Sequence, residues 1–269
     1  MFRLLFSGLI PAFFLVSLPA FSISFPHSGL QSGIYSSQSE LWWLYSNPAG
    51  IYGIKSLTGG TFYRSQFSLK ELAVSGAALA IPVKRKVIAG LGYRKYGYKH
   101  YKQQEIGLAL ARSFSDRIHA GLSIDLNTLY ISGNYGRSLA MTARAGVILD
   151  LTDHVRVGLS IDNPGRSKIS KRSDVKYPVL LNTNLELKFG NHTTLQFEVE
   201  KSLNLEPVYS TGIMYRISEK FLLLTGFSNS SDAFYFGYSF NAGHYSIGMF
   251  SGYQHYLGFS PAICITFKK

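Results

Sequence analysis

The sequence predicts an all-β protein: a fourteen-stranded antiparallel transmembrane β-barrel with a short N-terminal plug. Three observations predict it. Apolar and polar residues alternate with period two through nearly all of the chain after Lys55, and the connections between the alternating runs are short and long in turn. Beyond the N-terminus the longest apolar runs, Leu72 to Val83 and Tyr256 to Phe267, fall short of the roughly 18 residues a membrane-spanning helix requires. A bundle of spanning helices is therefore excluded.

The elements follow in chain order. Residues 1–22 read as a signal peptide: Arg3 is a short positive region, Leu4 to Leu18 an apolar one, and Pro19-Ala20-Phe21-Ser22 offers small residues at cleavage spacing. Export is the expectation. Residues 23–54 do not alternate and read as a plug or hatch. Within them Ser39-Glu40-Leu41-Trp42-Trp43-Leu44-Tyr45 suits one or two helical turns, with Ser37 or Ser39 as cap and Glu40 near the positive end. Asn47-Pro48-Ala49-Gly50 stops that helix, because Pro48 disfavours helical geometry at Asn47 and Gly50 permits a turn. The segment is either a turn leading into the first strand or a plug in which Trp42 and Trp43 find a place to bury.

Residues 55–269 form the barrel. Turn signals bound strands at 55–67, 70–82, 86–97, 102–114, 118–131, 138–151, 155–162, 179–189, 193–203, 207–217, 221–228, 233–240, 244–252 and 257–267. An even number of strands, each with its turn near the length of a tilted membrane strand, suits an up-and-down closure. Short turns repeat a hydroxyl, acid and base pattern: Ser115-Asp116-Arg117, Thr152-Asp153-His154 and Ser218-Glu219-Lys220. These read as periplasmic. The longer connections are basic and read as outer loops, Arg94, Lys95, Lys99 and Lys102 in one, Arg166, Lys168, Lys171, Arg172 and Lys176 in the other. Phe114, Phe189, Phe240 and Phe267 sit on the apolar parity beside the short turns, where an aromatic girdle is expected. A soluble β-sandwich that binds a surface partner is the competing architecture.

Composition agrees with an exported barrel. Only 16% of the 269 residues are charged while 14% are aromatic and 26 are glycine, and 46% hydrophobic residues exclude a disordered chain. One cysteine, Cys264, excludes a disulfide scaffold. The net charge of +12 has anionic lipopolysaccharide headgroups as its most economical partner, not nucleic acid, which an exported barrel rarely meets.

No phosphate-cradling loop, zinc spacing or nucleophile elbow occurs, so neither cofactor nor metal is expected and the chain does not read as an enzyme. His119 and Ser123 share a strand face but lie about 13 Å apart by strand rise, too far for a direct hydrogen bond. Asp125, Arg144, Asp150, Glu186, Lys188, Glu198 and Glu200 share the polar parity and are expected to point into the lumen. There they either line a solute path or form a network that fills the interior and holds the plug, and the network is the expectation.

Tyr45-Ser46-Asn47-Pro48-Ala49-Gly50-Ile51 resembles the asparagine-proline-alanine-glycine signature that follows the N-terminal segment of FadL-type hydrophobic-compound transporters and of the related PorV and PorQ proteins of type IX secretion. Both groups are fourteen-stranded outer-membrane barrels of Gram-negative bacteria. The chain's length is similar to the shorter PorV and PorQ type, and Asn163-Pro164-Gly165 resembles the turn that opens a long outer loop in such proteins. The resemblance implies a structural or accessory outer-membrane component of protein export, with secretion-system components as partners. The alternative it implies is a transporter that passes hydrophobic ligands through a plugged barrel.

Overall fold

Strands begin where the alternation begins, because a chain with one apolar and one polar face per strand can satisfy lipid and lumen at once only as a closed sheet. In this computed structural model the described residues are 40–133, 136–170, 173–203, 205–230 and 233–269. The expected signal peptide, the caps at Ser37 and Ser39, and Lys171 and Arg172 lie outside them.

The first seven strands are β1 (Thr58–Ser65), β2 (Ala73–Lys84), β3 (Val87–Gly97), β4 (Tyr101–Ser113), β5 (Ile118–Ile131), β6 (Gly136–Asp150) and β7 (Val155–Asp162). A small hairpin, β8 (Lys168–Ser170) and β9 (Ser173–Lys176), stands aside from the wall. The wall resumes with β10 (Leu180–Phe189), β11 (Thr193–Ser202), β12 (Val208–Arg216), β13 (Phe221–Ser228), β14 (Phe234–Ala242), β15 (Tyr245–Gln254) and β16 (Gly258–Lys268). Each pairs antiparallel with its neighbours, β7 pairs with β10, and β1 closes on β16 from Thr58 opposite Lys268 to Arg64 opposite Ala262. The result is a closed barrel of fourteen strands.

Its hydrophobicity is inverted relative to a soluble protein. Leu108, Leu122 and Met141 are 64%, 66% and 65% exposed on the outer surface, and Phe114, Phe189, Phe240 and Phe267 face the same way. The opposite parity is buried, and it mixes small, polar and, on one side, larger apolar residues. A sandwich would turn its apolar parity into the space between two sheets, whereas here there is one closed sheet with that parity outside.

The tight turns follow from their hydroxyls. Ser115 Oγ accepts from the amides of Arg117 and Ile118 at 3.2 and 3.1 Å, and Thr152 Oγ1 accepts from those of His154 and Val155 at 3.2 and 3.1 Å. Both are side-chain turns that replace lost ladder bonds.

Three departures from the expected layout stand out. The first strand ends early, because Gln66–Ser68 and Lys70–Leu72 form 3₁₀ turns, and the left-handed Phe67 (φ 53°) offers its amide to Ser260 Oγ at 3.0 Å. The Arg94–Lys102 outer loop is mostly strand: β3 runs to Gly97 and β4 starts at Tyr101, so Arg94 is a wall residue. Finally, the basic loop after β7 is folded over rather than open. Asn163, with φ 52°, turns the chain out of the wall, accepts from the Ser167 amide at 3.0 Å and donates to the Tyr177 carbonyl at 2.8 Å. β6 therefore rises beyond its last pairing with β7, at Arg144 opposite Asp162, and Ser167 Oγ donates to the Met141 carbonyl at 2.6 Å to seat the loop beside it.

Candidate functional site

The lumen holds residues 40–54, folded as two short 3₁₀ helices, Glu40–Tyr45 and Pro48–Gly53. Where a turn was expected at Asn47-Pro48-Ala49-Gly50, the motif instead starts the second helix. Pro48 occupies its first position and lacks only an amide hydrogen that would find no partner there. Asn47 Oδ1 caps the helix by accepting from the Ala49 amide at 3.1 Å. Its Nδ2 donates to the carbonyls of Val147 and Leu159, at 3.3 and 3.2 Å, tying the segment to β6 and β7. Gly50 and the facing Gly121 of β5 lack side chains for steric reasons: Trp43 packs directly on Gly50, and the backbone of Pro48 and Ala49 lies so close to Gly121 that a Cβ there would fall 2.5 Å from the Pro48 carbonyl carbon. Gly146 on β6 makes the same room for Asn47. The motif is a docking element.

The barrel's inner surface has two sides. From β12 round to β4 it is mostly apolar, with Arg64, Arg94, Gln103 and Glu105 the large polar exceptions: Met214, Leu224, Tyr235, Phe250, Ala262, Cys264, Phe62, Ala78, Ala80, Ile88, Ala109 and Ala111 form one cluster with Leu41, Trp42, Leu44, Tyr45, Ile51 and Ile54 of the plug. Trp42 is 0% exposed and meets Phe62 edge to face at 5.5 Å. Leu44 sits over Gly90 and Gly92 of β3, and Trp42 over Gly60 of β1.

The other side is ionic, in two groups. In the first, Arg94 and Glu105 face each other across β3 and β4 and join through Arg94 Nη2 at 2.7 Å to both carboxylate oxygens. Arg144 reaches Asp162 at 3.0 Å, Asp125 at 3.6 Å and Glu105 at 3.9 Å, and donates to the plug's Leu44 carbonyl at 3.2 Å. Arg94 also lies over the Tyr45 ring at 5.0 Å. In the second, Arg156 meets Asp150 at 2.7 Å and Glu186 at 3.5 Å, and donates to the Tyr52 hydroxyl at 2.6 Å, which in turn donates to Asp150 at 3.3 Å. Burial and the nearby Asp150 push the Tyr52 phenol up to about 12, against the opposing pull of Arg156. Each group thus holds one plug helix by a tyrosine.

Of the residues expected in the lumen, Asp125, Arg144, Asp150 and Glu186 belong to these groups. Glu198 hydrogen-bonds Asn182, Glu200 is half-buried on the same parity, and Lys188 ends the row exposed at the rim. Of the expected outer-loop cations, Arg94 is corrected to the interior: it is 1% exposed, because Glu105 opposite it compensates its charge. Lys95 and Lys102 are half-buried on strands, Lys99 and Arg166 are exposed in loops, and Lys168 pairs with Asp174 at 2.7 Å. Trp43, unlike Trp42, is only half-buried and lines a cavity of about 20 Å³ with Asn184, Glu186, Glu198 and Tyr235.

Reading by parity missed Glu105, Arg156, Asp162 and Tyr52. Glu105 had a signal, since it and Arg94 are equidistant from the connection at 99–100. His119 does not contact Ser123, whose hydroxyl donates to Asp125 at 3.1 Å; it contacts Ser113 and Asp150 instead. No group of three or more metal-ligating side chains occurs among the described residues.

Several solved structures superpose on most of this barrel. One described as the CymD monoaromatic hydrocarbon channel aligns with a TM-score of 0.66 at 12% identity, over 85% of this chain and 93% of that one. The toluene transporter TbuX of Ralstonia pickettii gives 0.61 at 10% identity, over 85% and 93%. A FadL homologue from Pseudomonas aeruginosa gives 0.59 at 10%, over 86% and 96%. The fold is that of the FadL-type channels. At these identities the likeness is one of architecture, and these FadL-type neighbours are channels and transporters. No family model and no curated protein matches the chain.

Proposed function

We propose that the chain is an outer-membrane channel of FadL type that admits hydrophobic small molecules past its plug. The observation that carries this reading is the two-sided lumen: along β12 to β4 the plug packs on one continuous cluster of apolar side chains, many of them small. A hydrophobic solute can replace side-chain contacts there without stranding a polar group, because burial of apolar surface is non-directional. The hydrocarbon channels and toluene transporter among the fold's neighbours support the same reading. The outward apolar parity supports a membrane location, and Lys99, Lys102, Arg166 and Lys168 would meet anionic lipopolysaccharide at the cell surface. The export-accessory reading implied by the PorV and PorQ resemblance draws no support from the neighbours named above.

The test is uptake of toluene by vesicles with a lipopolysaccharide outer leaflet, which slows its bare permeation, carrying the refolded chain, beside empty vesicles of the same composition and vesicles carrying Asn47→Ala. Faster uptake with the chain, and faster still with the loosened plug, supports the channel. Equal uptake in all three refutes it. Heat-modifiable migration of the outer-membrane fraction tests location, and release of the protein by carbonate would refute that part.

A further inference from the structure

At the end of the barrel bearing the tight turns, the lumen opens into a vestibule of about 930 Å³. Tyr52 and Ile54 give it an apolar side, Lys84, Arg85 and Lys86 a mainly cationic one with Asp116 3.4 Å from Lys86, and Ser113 and His119 stand at its wall. Ser113 is the last residue of β4, His119 the second of β5 and Asp150 the last of β6, so three adjacent strands deliver these side chains to one point. Ser113 and His119 are direct cross-strand partners. Ser113 Oγ lies 2.9 Å from His119 Nδ1, and His119 Nε2 lies 3.2 Å from Asp150 Oδ2.

The carboxylate determines which ring nitrogen carries the proton. Asp150 accepts only, so the neutral imidazole holds its hydrogen on Nε2 and aims the Nδ1 lone pair at the Ser113 hydroxyl. Tyr52 stacks on the ring at 3.5 Å with 11° between planes and holds its plane in place. Asp150 is fixed in turn by Arg156 Nε at 2.7 Å. These are the nucleophile, base and orienting carboxylate by which a serine is activated, with the roles of the two ring nitrogens exchanged relative to the common Ser-His-Asp triad. His119 is buried, while Ser113 is half-buried at the vestibule wall.

We infer that Ser113, His119 and Asp150 form an esterase site at this mouth, taking carboxylic esters with an apolar acyl group. This goes beyond the channel reading, stands independently of it, and departs from the sequence's expectation of no enzyme. In the acylation step Ser113 Oγ bonds to the ester carbonyl carbon as its proton passes to His119 Nδ1. The carbon–oxygen bond to the leaving alcohol then breaks, and the alkoxide takes that proton. Water next attacks the acyl carbon, giving a proton to Nδ1; the acyl–Ser113 bond breaks and Oγ regains the proton. The sum is ester plus water to acid plus alcohol. The charges of Lys84 and Arg85 at the same mouth favour the oxyanion that develops on the carbonyl oxygen.

The test uses the refolded full chain, a fluorophosphonate dye that labels activated serines, and 4-nitrophenyl butyrate. Labelling of the folded barrel is expected, with the adduct mapped by mass spectrometry to Ser113. Ser113→Ala should remove it and lower ester turnover by about 100-fold or more, and His119→Asn should slow it by about 10²- to 10⁴-fold. Heat-modifiable migration checks that each variant folds. Should Ser113→Ala not fold, the adduct position in the unmodified chain decides. No labelling, or an adduct on another residue, overturns the proposal.

Discussion

Replacing Arg144 by methionine should loosen the plug before it opens the barrel. The first ionic group sets two cations, Arg94 and Arg144, against three carboxylates, Glu105, Asp125 and Asp162. In Arg144→Met a single cation would face all three. Arg94 already has both oxygens of Glu105, so the uncompensated charges would be Asp125, 2% exposed, and Asp162. Removing one partner from a buried pair costs about 3–5 kcal/mol. The lost bond to the Leu44 carbonyl adds about 1.5–3 kcal/mol, and it falls on the plug. Both tryptophans of the chain, Trp42 and Trp43, lie in the plug, so their emission reports the plug while gel mobility without boiling reports the barrel. In a urea titration of the detergent-refolded protein, the Trp emission of Arg144→Met should shift at lower urea than the mobility change, whereas in the unmodified chain the two stay together. Adding Asp125→Asn removes one stranded charge and should recover part of the loss, which a double-mutant cycle measures. If Arg144→Met alters neither transition by more than about 0.5 kcal/mol, the ionic group does not hold the plug and the reasoning fails.

Three further outcomes follow from the same contacts. Asn47→Ala removes the cap and both bonds to the wall, so the plug's Trp emission should move to the red at a cost of about 1–3 kcal/mol with the barrel intact; an unchanged urea midpoint would refute the docking role. Gly121→Val should destabilise by about 1–3 kcal/mol or more, because its clash is with Pro48 backbone and no rotamer relieves it, read by the same emission titration. The Tyr52 phenol titrates higher folded than unfolded, so its contribution is complete below about pH 10 and disappears as pH rises through about 12. An alkaline shift in plug emission over that window should be present in the unmodified chain and absent in Tyr52→Phe, and its persistence in the variant would count against the assignment.

The wall was legible because each strand obeys one rule. A residue's parity decides whether it meets lipid or lumen, so β5, β7 and β13 begin and end at the residues the alternation marks. Loops obey no such rule. The stretch Arg94–Lys102 looks like a basic loop because charge is the signal for one, and only the cross-strand partner Glu105 makes Arg94 a wall residue. Pairing across strands is invisible to a reading made one strand at a time. The same holds for His119: spacing along β5 correctly separates it from Ser123, yet its partners come from β4 and β6. Asn47-Pro48-Ala49-Gly50 was conspicuous as a motif, but its use depends on Gly121 and Gly146 lying opposite, and isolated glycines in strands carry many meanings.

The division of the lumen also determines where a passing solute could move. On the ionic side the plug is held by directional contacts: Tyr45 under Arg94, the Leu44 carbonyl on Arg144, and Tyr52 between Arg156 and Asp150. Parting any of them gives up a charge-assisted hydrogen bond or a cation–π contact that no hydrocarbon can replace. On the apolar side Leu44 and Trp42 rest on glycines and alanines, and an apolar solute of similar volume could take their place at nearly constant burial. The cavity at Trp43 and Tyr235 lies where these two sides meet, on β10 to β14. On the channel reading, the route for a hydrophobic molecule therefore follows the wall from β12 to β4, and the ionic side acts as the hinge that keeps the plug attached while it yields. Substitutions that enlarge side chains on the apolar wall, such as Ala109→Leu, should then slow uptake more than equal enlargements facing the ionic groups.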